Sequence, residues 1–259
     1  MLKRLLAHPL TRGLDLDSPQ TTHLRRRIIR EKRFLNSIYL EWYQALAHAI
    51  PPAAGAQSGP VLELGSGGGF FKEIFPDSIS SDVFWCEGND LVLDGRHLPF
   101  SASTIRAIVM VDVFHHIPDA PAFLEEAQRV LQPGGAIAMW EPWNTAWSRI
   151  IYQNLHHEPF DCNVEKWEFP QGCPLSSANG ALPWMVFERD AGLFERLFPG
   201  LRVEGIRLDY PFSYLASGGV SLRALLPGQL FRPMRSLERA LAKWMDHLAM
   251  FAFIVIRRI

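Results

Sequence analysis

The stretch that decides the fold is GPVLELGSGGGFFKEIF, residues 59–75, in which an apolar run leads directly into four glycines and a serine. Glycine weakens an ordered element because it loses more backbone freedom on folding than any other residue. The cluster therefore indicates a tight turn or a place where a ligand approaches the backbone closely. A helix-like pattern follows, and a strand, a glycine turn and a helix start together direct backbone N–H groups at one point.

Two classes of cofactor loop compete for this stretch. A dinucleotide loop requires G-x-G-x-x-G, in which the third glycine lets helix and strand pack closely. Gly65 and Gly67 fit its first two positions, but the third falls on Phe70. An acid followed by alternating glycines fits instead, because Glu63 precedes Gly65, Gly67 and Gly69. The spacing disfavours an NAD-dependent oxidoreductase.

The residues around the loop alternate between short β-like runs and helical runs. The β-like runs of residues 59–155 are VLEL, SISSD, DLVLD, IRAIVMVDV and GAIAMWEP, and APAFLEEAQRVLQ is the clearest helical run. Such alternation predicts an α/β fold with a parallel sheet and covering helices. Two later runs, LRVEGIRLDY and MFAFIVIRR, are further strand candidates.

Residues 59–142 resemble the class I S-adenosylmethionine-dependent methyltransferases, particularly the small-substrate, type 11-like group. The resemblance rests on five segments in the same order: VLELGSGGG, SISSD, LVLDGRHLPF, IVMVDVFHHIPD and FLEEAQRVLQPGGAIAMWEP. It implies a Rossmann-like, seven-stranded and mostly parallel sheet with helices on both faces and the last strand antiparallel. It also implies methyl transfer from S-adenosyl-L-methionine, with S-adenosyl-L-homocysteine as the product.

The resemblance also implies roles for individual residues. Glu63 contacts the methionine ammonium, and one carboxylate, that of Asp82, accepts both ribose hydroxyls. The remaining implied cofactor contacts are Gly65, Ser66 and Gly67 beside the amino acid and ribose, Asp94 and Gly95 at the adenine, and Asp112 near the methionine part. Glu87 is the alternative ribose ligand, because the VFWCEGN segment that follows SISSD does not have the usual helical pattern. Asp82 is preferred because it directly follows the β-compatible SIS.

Four histidines are candidates for a catalytic base if the acceptor is a hydroxyl. His115 and His116 follow the fourth predicted strand, and His156 and His157 follow the fifth. His116 is preferred in the first pair because it shares the strand parity of Asp112, and His157 is preferred slightly in the second. The HHEPFDC run lacks the i, i+4 histidine spacing of a zinc helix, so the sequence predicts no metal site.

The chain is interpreted as one methyltransferase domain, residues 1–259. Its parts are a basic helical extension (1–58), the cofactor-binding core (59–155), two substrate caps (156–200 and 212–245) and the C-terminal strands (201–211 and 248–259). The tryptophans of MWEPWNTAW belong either to the core or to an aromatic substrate pocket.

Charge and cysteine content limit the partners and the cellular setting that are expected. The formal net charge is −1, so no nucleic acid is expected, while the RRRIIREKR run favours a solvated helix face or contact with an anionic surface. Three scattered cysteines, Cys86, Cys162 and Cys173, predict a cytoplasmic setting. The expected acceptor is small or linked to a lipid or sugar. A noncatalytic protein with the same fold is the alternative, because methyl transfer needs no universal catalytic residue.

Overall fold

The computed structural model describes residues 8, 19–53, 58–156, 158–170, 172 and 177–259. A seven-stranded sheet has the order β3-β2-β1-β4-β5-β7-β6. The first five strands are parallel, and β7 runs antiparallel to both of its neighbours. The strands are Val61–Glu63 (β1), Ser78–Asp82 (β2), Leu91–Val92 (β3), Ile105–Val111 (β4), Leu131–Pro142 (β5), Leu201–Asp209 (β6) and Phe251–Arg258 (β7).

Helices surround this sheet. The described residues form nine α-helices: Pro19–Glu31 (α1), Arg33–Ala49 (α2), Ala120–Val130 (α3), Ala146–Leu155 (α4), Leu182–Trp184 (α5), Ala191–Leu197 (α6), Ser213–Ser217 (α7), Phe231–Ala240 (α8) and Met245–Leu248 (α9). α5 continues as a π-helical segment, Met185–Arg189. Across the described part of the chain, no helix combines the length and apolarity needed to cross a membrane.

Local sequence explains the main elements. β1, β4 and β5 are buried almost throughout, as expected for parallel strands covered on both faces. Asp119 caps α3, because its carboxylate accepts a hydrogen bond from the Ala122 N–H at 2.9 Å. α2 buries one apolar stripe at helical spacing, consisting of Phe34, Leu35, Ile38, Tyr39, Trp42, Tyr43 and Leu46.

The seven predicted strands and their antiparallel last pairing are confirmed, but the helix predicted after the glycine cluster is wrong. Only a single 3-10 turn, Phe71–Glu73, follows the glycines. Phe70 and Phe71 both turn inward against Tyr43, whose hydroxyl accepts the Phe70 N–H at 3.2 Å. This contact satisfies a backbone donor at the point where a helix would begin, and the chain then enters β2.

Tryptophan contributes to the core and not to the cavity described below. Trp42 of α2 stacks on Trp140 of β5 and on Tyr214 of α7, with ring centroids 5.7 and 5.8 Å apart. Trp143 and Trp167 are also buried. The interpretation of the tryptophans as core residues is therefore supported. The aromatic side chains that line the cavity include tyrosines instead.

Candidate active site

A cavity of about 580 Å³ opens at the carboxyl ends of the parallel strands. This is where ligands bind in open α/β sheets, because the loops that follow neighbouring strands converge there. Its volume lies within the usual range of small-molecule sites, about 300–1,000 Å³. The residues that follow β1, β2, β3 and β4 line one part of it, and residues from α1, α2 and both predicted cap segments line much of the rest.

The glycine loop forms the floor of the cavity. Gly65 has a φ of +67°, and a side chain there would collide with Val113. Gly67 has a φ of +46°, and a Cβ would come no closer than 3.7 Å to any protein atom. Its N–H donates to Asp82 Oδ2 at 2.9 Å, and the Ser66 N–H donates to the Ser81 carbonyl at 2.7 Å. Gly65 therefore serves packing, while Gly67 leaves room for a ligand.

Glu63 ends β1 beneath this loop. Its carboxylate accepts a hydrogen bond from the Ser66 hydroxyl at 2.7 Å, and the residue is buried. Burial raises the pKa of Glu63 to about 7, although the Ser66 hydrogen bond acts in the opposite direction. The side chain is positioned to ionise fully when a cation, such as an ammonium group, is placed beside it.

The structure distinguishes Asp82 from Glu87. Asp82 is 6% exposed, lines the cavity and accepts hydrogen bonds from the N–H groups of Gly67 and Phe84. Burial raises the pKa of Asp82, although these backbone hydrogen bonds oppose the shift. Glu87 has an 80% exposed side chain beside His23 on the surface and is absent from the cavity lining. Of the two acids, only Asp82 is therefore placed to contact a ligand in the cavity.

Asp94 and Gly95 line the cavity beyond β3. Arg96 holds the Asp94 carboxylate, with its Nη2 2.6 Å from Oδ2. Partial burial opposes ionisation, but the hydrogen bonds and charge of Arg96 outweigh it and lower the pKa of Asp94. A Cβ at Gly95 would lie 2.9 Å from Leu64, so glycine lets this loop pack on β1. Asp94 is an ionised acceptor.

Asp112 follows β4 in a strained conformation. Its φ is +55°, a region that residues other than glycine rarely adopt and that is often found at functional sites. The Asp112 N–H donates to the Trp140 carbonyl at 2.9 Å, which fixes this turn to β5. Burial raises the pKa of Asp112 to about 7, and the positive charge of His115 opposes that shift.

His115 and His116 both line the cavity, so strand parity does not separate them. His115 Nδ1 donates to Glu141 Oε2 at 2.7 Å, and Glu141 also accepts the N–H groups of Val113 and Phe114. Burial opposes a charge on His115, but Glu141 and Glu158 outweigh it and raise its pKa to about 10. Burial and the charge of His115 lower the pKa of His116 to about 3.

The second histidine pair is less informative. His156 ends α4, lines the cavity and has its Nδ1 3.6 Å from Glu158 Oε2. His157 lies outside the described residues, so its candidacy stays a prediction. Glu158 joins the first pair, because its carboxylate is 3.4 Å from His115 Nε2 and 3.7 Å from His116 Nε2.

Sequence reasoning missed several residues of the cavity. Tyr39 and Tyr43 line it from α2, and Arg25 lines it from α1. Arg25 looks in sequence like the other arginines of its run, so no signal singled it out. Glu141 is not in the lining but holds His115 from behind; it is the only acid in the apolar GAIAMWEP run, and that isolation could have indicated a buried role.

Several residues of the basic RRRIIREKR run form ion pairs or hydrogen bonds with other residues of the chain. Arg27 pairs with Glu31, and Arg30 pairs with Glu73. The buried Lys32 ammonium donates to the carbonyls of Gly219 and Leu222, and burial lowers its pKa to about 8. These contacts weaken the expectation of an anionic surface as its partner.

A family model described as a methyltransferase domain matches residues 62–139. Residues 62–139 are therefore similar to a methyltransferase domain, in agreement with the fold. A curated relative, the probable phthiotriol/phenolphthiotriol dimycocerosates methyltransferase 2 of Mycobacterium ulcerans, is 30% identical over 79 residues. That match covers 27% of this chain and 31% of the relative, so the chain spans about a third of the relative's length.

Solved structures share the fold of this chain. A S-adenosylmethionine-dependent methyltransferase from Archaeoglobus fulgidus has a TM-score of 0.52 at 14% identity, covering 86% of this chain and 94% of that one. A possible histamine N-methyltransferase from Thermotoga maritima has a TM-score of 0.50 at 16% identity, covering 91% and 98%. At such identities the likeness establishes the fold alone.

Proposed function

We propose that this chain is an enzyme that binds S-adenosylmethionine in the cavity and transfers its methyl group to a small, lipid-linked or sugar-linked acceptor. One observation carries the proposal: four acids, Glu63, Asp82, Asp94 and Asp112, line one cavity in the order that the methyltransferase motifs require. The matching family model supports the same cofactor. S-adenosylhomocysteine would be the product.

The proposed contacts follow the geometry of the cavity. Glu63 receives the methionine ammonium, Gly65, Ser66 and Gly67 leave room for the amino acid and ribose, and Asp82 accepts the ribose hydroxyls. The adenine end lies at Asp94 and Gly95, since both follow β3 at one side of the sheet. Asp112 then stands between the methionine end and the histidine pair, which is where the acceptor would enter.

The cap segments are proposed to bind the acceptor. Phe160 and Ser177 line the cavity from residues 156–200, and Tyr214 and Val220 line it from residues 212–245. Walls of this kind, mostly apolar with a few polar groups, suit a small or lipid-linked molecule. The name of the mycobacterial relative refers to a lipid substrate, which is consistent with this class.

The chemistry is an in-line displacement. The acceptor atom attacks the methyl carbon, the carbon–sulfur bond breaks, and its electron pair stays on sulfur as the thioether. The sulfonium is already an activated donor, so positioning supplies most of the rate. The sequence favours His116 as a base, but a base works best with a pKa near the working pH, and the pKa of His116 is about 3. We therefore assign His116 to the acceptor wall.

The setting of the enzyme is also a proposal. Cys86 and Cys162 are free thiols, which supports the cytoplasmic location that the scattered cysteines suggest. Neither the net charge nor the cavity provides a reason to expect nucleic acid as a partner.

Calorimetry with S-adenosylhomocysteine, S-adenosylmethionine and NAD tests the cofactor. We expect the first two to bind with one site per chain and NAD to give no heat. A screen of cell extract with methyl-labelled S-adenosylmethionine then tests turnover. Binding of NAD in preference to S-adenosylhomocysteine would refute the proposal, and cofactor binding with no labelled product from any extract fraction would favour the noncatalytic alternative.

A further inference from the structure

Three side chains meet at the acceptor end of the cavity in a way that the sequence did not indicate. The ligand-capable atoms of His115, His116 and Glu158 all lie within 4.8 Å of one another. The histidines come from the 3-10 turn after β4, whereas Glu158 comes from the segment after α4. Because the cluster joins two distant loops, the spacing within HHEPFDC could not reveal it.

Both histidines are held by a hydrogen bond at Nδ1. His115 Nδ1 is 2.7 Å from Glu141 Oε2, and His116 Nδ1 is 3.2 Å from the Ser177 carbonyl oxygen. These acceptors favour a proton on each Nδ1, so both Nε2 atoms face the Glu158 carboxylate, and a metal ion bound there would displace the second proton of His115. Histidines that bind metals are held in this way, with the second ring nitrogen donating to a carboxylate or a backbone carbonyl.

The distances favour an ion between the three groups. His115 Nε2 is 3.4 Å from Glu158 Oε2, and His116 Nε2 is 3.7 Å from Glu158 Oε1. Both distances exceed the usual 2.7–3.2 Å of a nitrogen–oxygen hydrogen bond. Ligand atoms about 2.0–2.2 Å from a tetrahedral zinc ion would be about 3.3–3.6 Å apart. The two histidine–glutamate separations are therefore close to those of a zinc coordination shell, and small side-chain movements would bring all three ligand atoms, which lie within 4.8 Å of one another, to one ion.

We propose that His115, His116 and Glu158 bind a divalent transition metal ion of the Zn²⁺ type, oriented by Glu141 and the Ser177 carbonyl. Two imidazole nitrogens and one carboxylate favour zinc-like ions over Mg²⁺, which prefers oxygen ligands. Three protein ligands leave the fourth position open, as in catalytic zinc sites. All three residues line the cavity, so this position faces the ligand space.

The role of the open position rests on the proposed function. An oxygen atom of the acceptor would bind there and be held for attack on the methyl group. This restricts the acceptor to molecules with a hydroxyl, carboxylate or similar oxygen near the methylated position. Metal binding itself does not depend on methyl transfer and can be measured without any cofactor.

A zinc titration tests the proposal directly. The full chain is freed of metal by dialysis against a chelator, and Zn²⁺ is then titrated against a chromophoric competitor without cofactor. We expect one tight site per chain, weakened at least tenfold in His116→Gln and in Glu158→Gln. Glu141→Gln should weaken zinc binding by about 10–100-fold through the lost orientation of His115. His247→Gln, an exposed histidine in α9, is the matched control and should bind zinc like the wild type.

The outcomes separate this proposal from the proposed function. Zinc binding that is absent, or that is equally tight in the wild type, His116→Gln and Glu158→Gln, would overturn the metal site. Circular dichroism shows whether each variant folds, and His116→Gln, the more exposed of the two histidines, provides the test if Glu158→Gln does not fold. S-adenosylhomocysteine titrations on the metal-free protein test the cofactor site separately.

Discussion

At the scale of single residues, Asp82 is the proposed ligand of the cofactor's ribose. Its Oδ2 already accepts the Gly67 N–H, so the carboxylate both shapes the glycine loop and faces the cavity. Asp82→Asn keeps one oxygen for the Gly67 N–H but replaces the other with a donor. A ribose hydroxyl would then lose a charged acceptor, a loss of about 1.5–3 kcal/mol. We expect about ten- to a hundredfold weaker binding of S-adenosylhomocysteine by calorimetry.

Glu87→Gln is the matched control, because it makes the same carboxylate-to-amide change on an exposed side chain. It should leave the affinity unchanged. Equal losses in both variants, or a loss in Glu87→Gln alone, would place the ribose away from Asp82.

Glu63 should make cofactor affinity depend on pH. Its pKa is about 7 in the empty cavity, so it is mostly protonated at pH 6 and mostly ionised at pH 8. An ammonium needs the ionised form, so S-adenosylhomocysteine should bind about tenfold more weakly at pH 6 than at pH 8. The groups whose charge or hydrogen bonding acts on Glu63 are Ser66, Arg26, Asp82, Lys72 and Tyr43. Calorimetry at both pH values measures the change, and Glu63→Gln should reduce it.

The same pKa has a consequence for stability. Because the pKa of Glu63 is raised above its ordinary value of 4.5, ionising the buried side chain destabilises the empty protein as pH rises toward about 7. This cost is absent below pH 4.5. The stability of Glu63→Gln relative to the wild type should therefore increase between pH 5 and pH 8 in urea unfolding, and a constant difference would contradict the assigned pKa.

At the scale of elements, α1 covers the cofactor cavity. A Cβ at Gly68 would lie 2.7 Å from the Arg26 backbone nitrogen, so glycine is required where α1 passes over the loop. Arg25 lines the cavity, and its charge partly opposes the burial that raises the pKa values of Asp82 and Asp112. We expect its guanidinium to pair with the carboxylate of the cofactor's amino acid end. Arg25→Gln should weaken S-adenosylhomocysteine binding by about tenfold or more.

Arg27→Gln provides the control on the same helix. Arg27 pairs with Glu31 on the exposed face of α1, away from the cavity. Its replacement should leave calorimetric affinity unchanged, since exposed ion pairs contribute little. If the two variants bind equally well, α1 covers the site without contacting the cofactor.

The elements that the sequence predicted are those whose signal is local. The buried runs of β1, β4 and β5 and the helical run of α3 are each short, continuous stretches of sequence, so pattern alone located them. The turn after Gly69 was mispredicted because Tyr43, from a different helix, accepts the backbone N–H of Phe70. The histidine–glutamate cluster escaped prediction for the same reason: only the packed fold brings Glu158 to His115.

At the scale of the whole molecule, one buried arginine joins three separate parts of the chain. Arg235 of α8 contacts Glu41 of α2 at 2.9 Å and Asp209 of β6 at 2.8 Å. It also contacts Glu238, which accepts the N–H groups of Phe212 and Ser213. Burial lowers the pKa of Arg235, but hydrogen bonds to Asp209 and Glu238 outweigh it and raise the pKa above its ordinary value. The guanidinium is therefore a permanent charge that connects the N-terminal helices, the sheet edge and the second cap.

Removing that charge should destabilise the whole fold without acting on the cofactor site. The Arg235 side chain is 6% exposed, and Arg235→Met would leave the fully buried Glu238 carboxylate without its cationic partner. Breaking a buried ion pair from one side costs about 3–5 kcal/mol, because the remaining charge stays desolvated. Urea unfolding should show this loss, while the folded fraction keeps its affinity for S-adenosylhomocysteine, since Arg235 is not part of the cavity lining.

Arg232→Met makes the same change at an exposed position of α8 and should alter stability by less than about 0.5 kcal/mol. If both variants unfold at the same urea concentration, the network does not hold the cap to the sheet; if Arg235→Met loses cofactor affinity while fully folded, the cap and the cofactor site are coupled.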